Sequence, residues 1–199
     1  MKKAVFVSSI AASLLTAGVA SAAAWDVDSG HAKAQFSIKH LTVANVQGEF
    51  SNITGTAEID DKDLAKSKVD IAIDTTTLNT SNPKRDEHLR SPDFFDVAKY
   101  PRMTFTSTKV KKGADGKLKI IGNLTIRGIT KETTLEVEEL SSPIQDPWGL
   151  SRRGAHATGV IHRKDFGMVW NQTLDKGGVA VAEDAKVTID VELVRPAKS

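Results

Sequence analysis

The chain has 199 residues, a formal net charge of +2, five histidines and no cysteine. That length is one ordinary domain, long enough to bury a core without staples. The missing thiols exclude disulfides, thiol catalysis, Fe–S ligation and cysteine zinc sites, and the near-neutral charge leaves no electrostatic footprint for nucleic acid or an anionic membrane.

Lys2 and Lys3, an apolar run from Ala4 to Val19 and the small-residue triplet Ala20-Ser21-Ala22 follow the grammar of a secretory leader. Residues 1–22 are therefore expected to be a cleaved signal peptide, with 23–199 the mature domain and a bacterial periplasm its destination. The leader run is too short and too rich in Ser and Gly to span a bilayer, and without Lys2 and Lys3 the domain is formally neutral.

Beyond the leader the dominant period is two. Ala32, Ala34, Phe36 and Ile38 alternate with polar residues, the signal of a half-buried antiparallel strand. Residues 43–60 form a longer strand region in which Gly48 and Gly55 predict bulges or bends. Val69, Ile71 and Ile73 repeat the alternation. Residues 103–111 set Met103, Phe105, Ser107 and Lys109 on one side and Val110 on the other. Leu118, Ile120, Leu124 and Ile126 share a face after the turn at residues 113–116. Arg127-Gly128-Ile129-Thr130 predicts another tight connection, into a strand bearing Leu135 and Val137. Ala155, Ala157, Gly159 and Ile161, then Val187, Ile189, Val191 and Leu193, complete about eight strands. A sheet of that size tends to curl or close, and eight closed strands are just wide enough for one slender ligand. The small inward residues Ala32, Ala34, Gly122, Ala157 and Gly159 either leave room for such a ligand or mark sharp corners.

Residues 79–101 break the strand pattern. Asn82-Pro83 is a helix cap with proline at the first position, and Lys84–Arg90 supplies two turns. Ser91-Pro92 repeats the cap signal ahead of Phe94-Phe95, and Pro101 closes the segment. This crossover, anchored by Leu89, Phe94 and Phe95, can cover one end of a barrel or merely brace it.

Catalytic patterns are missing. There is no G-x-S-x-G turn, no phosphate loop and no H-E-x-x-H spacing. His156 and His162 share a strand face about 20 Å apart at the strand rise, too far for one metal. Catalytic residues, metal and cofactors are all expected to be none. Arg152-Arg153 and Arg163-Lys164 flank one strand. They suit a phosphate head at a barrel mouth, or simply keep the strand ends soluble.

Several segments together resemble the YceI family: Trp25-x-Val27-Asp28-x-x-His31 with Phe36-x-Ile38-x-His40; Val46-Gln47-Gly48-Glu49-Phe50; Arg85-Asp86-Glu87-His88-Leu89-Arg90-Ser91-Pro92-Asp93-Phe94-Phe95-Asp96 with Tyr100-Pro101; Gly122-Asn123-Leu124-Thr125-Ile126-Arg127-Gly128-Ile129-Thr130; and Arg163-x-Asp165-Phe166-Gly167. The resemblance runs in order along the mature chain. It implies an all-β fold, a single antiparallel eight-stranded lipocalin-like β-barrel with a short helical crossover, enclosing an isoprenoid or other long-chain lipid in an apolar tunnel. It implies no catalytic residues and no metal. On that basis the wall candidates are Phe36, Ile38, Phe50, Ile71, Ile73, Leu89, Phe94, Phe95, Phe105, Leu124, Ile126, Leu135, Val137, Phe166 and Trp170, about half of them lining the cavity. Arg85, His88 and Arg153 are the head-group candidates. Two rival readings remain: an enzyme using His31, His40 or His88 as acid/base, and a filled barrel serving as an interaction module. Stable membrane insertion and nucleic-acid binding are not expected; pairing of an exposed barrel edge makes a homodimer a further expectation.

Overall fold

The computed structural model describes residues 22–175 and 177–197, so the leader falls almost wholly outside the described residues. Ten strands follow: β1 (Ala23–His40), β2 (Ala44–Phe50), β3 (Ile53–Ile59), β4 (Lys68–Asp74), β5 (Arg102–Lys112), β6 (Leu118–Ile126), β7 (Ile129–Leu140), β8 (Ile144–Gln145), β9 (Leu150–His162) and β10 (Val181–Pro196). Among the described residues there is one α-helix, α1 (Pro83–Arg90), between β4 and β5.

The ring runs β10-β1-β3-β4-β5-β6-β7-β9 and closes through the β9–β10 pairing. β2 lies on Ala34–His40 of β1 and β3 on Ala23–Asp26. The two therefore act as one bent stave, broken at residues 51–52, where Asn52 takes a left-handed φ of 55°. This makes a closed eight-stranded antiparallel barrel. Closure leaves edges at the two-residue β8 and at β2, the latter met by Asn79, which exchanges main-chain bonds with Glu49.

Alternation located most inward faces, and the departures have local causes. β1 begins at Ala23, well before the residues whose alternation marks it. An irregularity between Val27 and Ala32 resets its phase, so one period cannot span it. A second irregularity, between Ser107 and Lys109, flips the end of β5. Val110, expected outside, therefore points inward and is 3% exposed. Gly48 is no bulge: it sits in regular register opposite Phe36. A Cβ there would lie 2.4 Å from the Phe36 ring, so glycine permits that close approach. Gly55 is likewise in regular register, opposite Ile71, but at a φ of +132° that favours glycine.

The crossover starts as predicted. The Asn82 side chain accepts from the Arg85 amide at 3.1 Å, and Pro83 opens α1. Ser91-Pro92 does not start a second helix. The amides of Phe95, Val97 and Phe94 turn back to the carbonyls of Leu89, Arg90 and Ser91, folding the segment onto the end of α1.

Candidate ligand-binding cavity

Inside the barrel most of the buried apolar residues fall into three clusters rather than one core. One, under the crossover, gathers Phe50, Leu78, Met103, Ile126, Ile161, Phe166 and Met168. Ala32, Ala34 and Ile53 make the second. The third, at the opposite end, holds Trp25, Ala57, Ile59 and Leu193. Between them the side chains leave a cavity of about 270 Å3, with an almost wholly apolar wall. Packed interiors hold few voids larger than a water molecule, and a cavity of about 150 Å3 already takes a benzene.

The wall follows from strand parity. Ala157 of β9 stands opposite Val137 of β7 and Ile189 of β10, and all three face inward. Alanines at 34, 57, 155, 157 and 185 supply wall without filling the space. Every apolar candidate from the sequence lies on this wall except Phe166 and Trp170. Phe166, 2% exposed, is packed in the cluster under the crossover. Trp170 stacks outside it, its ring 4.8 Å from His88 and 5.5 Å from Phe94. Both follow β9, Phe166 at the end of a 3-10 turn and Trp170 in irregular chain, where strand parity gives no direction. The wall also includes Leu64, which precedes β4 on a single 3-10 turn, and Met168, where alternation is likewise silent. Val110 was hidden by the β5 irregularity.

Leu89, Phe94 and Phe95 close one end of the cavity, so the crossover is a cover and not only a brace. Phe95 meets Phe50 edge-on at 5.2 Å. The cover is latched by arginines to main-chain carbonyls, because irregular backbone must find partners outside its own ladder. Arg85 donates to Thr80 Oγ1 and to its carbonyl, both at 2.8 Å. Arg90 donates to the Leu78 carbonyl, and Arg127 to the Phe94 carbonyl. Thr80 in turn donates its amide (2.9 Å) and hydroxyl (2.5 Å) to the buried Asp86 carboxylate.

The three polar candidates are therefore not on the cavity wall. Arg85 is held in this latch. His88 bonds Asp93 at 2.9 Å and packs edge-on against Phe94 and Trp170. Arg153 sits at the other end, 5% exposed. The ionisable group that the wall does include is Arg163, on the inward face two residues beyond Ile161. Burial holds its guanidinium below the usual arginine range, and it donates to the carbonyls of Met168, Val181 and Ala182.

Histidine chemistry does not converge on the cavity: no histidine is part of its wall. His156 and His162 project outward onto Asp190 and Asp184, and His31 bonds Asp28 at 3.0 Å. Among the described residues Asp28, His31 and Glu192 are the one group whose ligand atoms come within 4.8 Å. That corner already receives Arg152, whose Nη1 lies 2.7 Å from Asp28 and 2.9 Å from Glu192, with Nε 2.7 Å from Asp146. The guanidinium holds the carboxyls of Asp28 and Asp146 below the ordinary aspartate value.

The profile of the YceI-like domain matches residues 25–193. The chain belongs to the YceI family. Protein YceI of Salmonella newport is 41% identical over 197 residues, 98% of this chain and 99% of that one. Among solved structures, the YCEI protein of Campylobacter jejuni matches with a TM-score of 0.65 at 34% identity, covering 81% of this chain and 91% of that chain. A polyisoprenoid binding domain from Saccharophagus degradans, implicated in plant cell wall breakdown, matches with a TM-score of 0.58 at 16% identity over 86% and 98% of the two chains, a likeness of fold. Within this YceI-family barrel no helix among the described residues is long and apolar enough to cross a membrane, which says nothing about crossing with strands.

Proposed function

We propose that this YceI-family protein is a binding protein and not an enzyme. It holds one long-chain isoprenoid or similar amphiphilic lipid inside the barrel, for transport, storage or sequestration in the periplasm. The observation that carries the proposal is the apolar cavity of about 270 Å3, walled by the inward faces of the strands and covered by Leu89, Phe94 and Phe95. The binding domain from Saccharophagus degradans, with the same fold, supports the class of ligand. The periplasmic address rests on the leader grammar of residues 1–22.

Apolar burial supplies the driving force. At about 0.8 kcal/mol per buried methylene, ten carbons contribute about 8 kcal/mol, within the range of about 4–15 kcal/mol that association costs. A long tail is therefore needed, and a short one is not held.

Native mass spectrometry of gently purified protein tests this. An apolar adduct is expected, and stripping it should lower the melting temperature. The variant Ala157→Phe, which puts a ring into the cavity, should fold and lose the adduct. Repeated preparations without adduct, with no response of stability to added long-chain lipid, would overturn the proposal.

A further inference from the structure

The barrel end away from the crossover is built from donors. Trp25 of β1 pairs with Ala57, and Arg153 of β9 pairs with Leu193, two residues of the cavity wall. Directly opposed residues of an antiparallel pair share a face, so Trp25 and Arg153 both belong to the inward side. Arg195, two residues beyond Leu193, belongs there by the same alternation. The guanidinium of Arg195 lies 4.0 Å from the Trp25 ring centre, and that of Arg153 lies 5.5 Å from it. Trp25 is 1% exposed and packs against Ala57, Ile59 and Leu193 at the end of the cavity.

Acceptors do not match these donors. Arg153 reaches the Ser141 carbonyl through Nε (3.1 Å) and Nη2 (2.9 Å), and Asp61 through Nη1 (2.9 Å). The Trp25 Nε1–H and the Arg195 Nε–H are buried without a partner. Among the described residues no other buried side-chain nitrogen or oxygen is in that position, and these two are neighbours. An unsatisfied buried donor is unfavourable, and polar groups inside proteins are nearly always paired. The crossover end shows the opposite balance, its arginines donating to carbonyls.

We propose that Trp25, Arg153 and Arg195 form the head-group subsite of the cavity, and that it takes an acceptor-only anionic head, a carboxylate or a phosphate, on the buried chain. This rests on the lipid reading above and adds a direction to it: head at the Trp25 end, tail toward Phe50 and Phe95. Asp61 marks the way in. Its side chain is 53% exposed, and its carboxylate is the resident anion that an incoming head displaces from Arg153.

Delipidated protein is titrated with hexadecanoate, hexadecyl phosphate and hexadecanol, by displacement of an apolar fluorescent probe, and separately with inorganic phosphate. The expected result is at least tenfold tighter binding of the anions than of the alcohol, the scale of one or two charge-assisted bonds. Trp25→Phe and Arg195→Gln should erase that preference while hexadecanol still binds. Asp61→Asn, a change at an exposed side chain that removes the resident anion from Arg153, should tighten the anions severalfold and leave hexadecanol unmoved; it keeps the test open if the Trp25 variant fails to fold. Equal binding of all three chains, as when water satisfies the two donors, overturns the head-group subsite and leaves the lipid cavity standing. Inorganic phosphate binding as tightly as hexadecyl phosphate overturns the assignment to a lipid head. If none of the chains binds, the lipid reading itself has failed.

Discussion

The two ends of the barrel handle buried polarity differently. At the crossover end, Asp86, Thr80, Arg85 and Arg90 form a latch in which Asp86 and the arginines meet a hydroxyl, an amide or carbonyls. At the far end Trp25 and Arg195 carry buried N–H groups with nothing to receive them. A satisfied network makes a permanent closure, because opening it strands several groups at once. An unsatisfied one keeps its affinity for something from outside. On the proposed reading the crossover holds the barrel shut and the far end recognises the head group.

Cutting the latch should cost the most. Asp86→Ala leaves the Thr80 amide and hydroxyl buried without an acceptor and should destabilise the fold by about 3 kcal/mol, read from urea unfolding. A loss below about 1 kcal/mol would mean that the crossover end is held by its aromatics alone.

A smaller effect is expected at Gly48, where the same end meets the wall. Gly48→Ala presses a methyl against the Phe36 ring and the Thr80 methyl, at 2.4 and 2.7 Å before relaxation. It should cost about 1–3 kcal/mol, as overpacking does. Phe36 is a wall residue, so its displacement should also weaken binding of a long chain. Unchanged affinity would show that the tail does not reach Phe36.

The smallest effect belongs to the outer face of the far end. Asp28 and Asp146 titrate below the ordinary aspartate value because Arg152 bonds both. A carboxylate whose folded-state pKa is depressed stabilises the fold above its unfolded value near 3.8, and that contribution fades as pH falls through the folded value. The melting temperature should therefore be level from pH 7 to 5 and decline below about pH 4. Asp146→Asn should flatten that decline, and an equally steep decline in the variant would assign it to other carboxylates.

Alternation marked the inward set Ala34, Phe36, Ile38 and Ile71, because a strand's two faces meet different solvents and the sequence must record which is which. It misplaced Val110, where one irregularity reverses the faces. Asn82-Pro83 announced α1, since a cap is a local hydrogen bond. Ser91-Pro92 carried the same local signal but lies where the chain folds back on α1, and tertiary contact prevailed. In sequence Arg85 and Arg153 are equally head-group candidates. One is tied to Thr80 and the other stands beside Trp25.

Strand periods, the crossover with its cap, and the family are all readable in the chain, because each is written in neighbours a few residues apart. It took tertiary contact to show that Ala34 and Ala157 line a cavity while Gly122 and Gly159 lie under the Phe105 ring and the Leu135 side chain, and that two unpaired donors meet at one end. Both depend on closing the ring, which brings β9 and β10 back to β1 and sets Arg153 and Arg195 beside Trp25 across more than a hundred residues of chain.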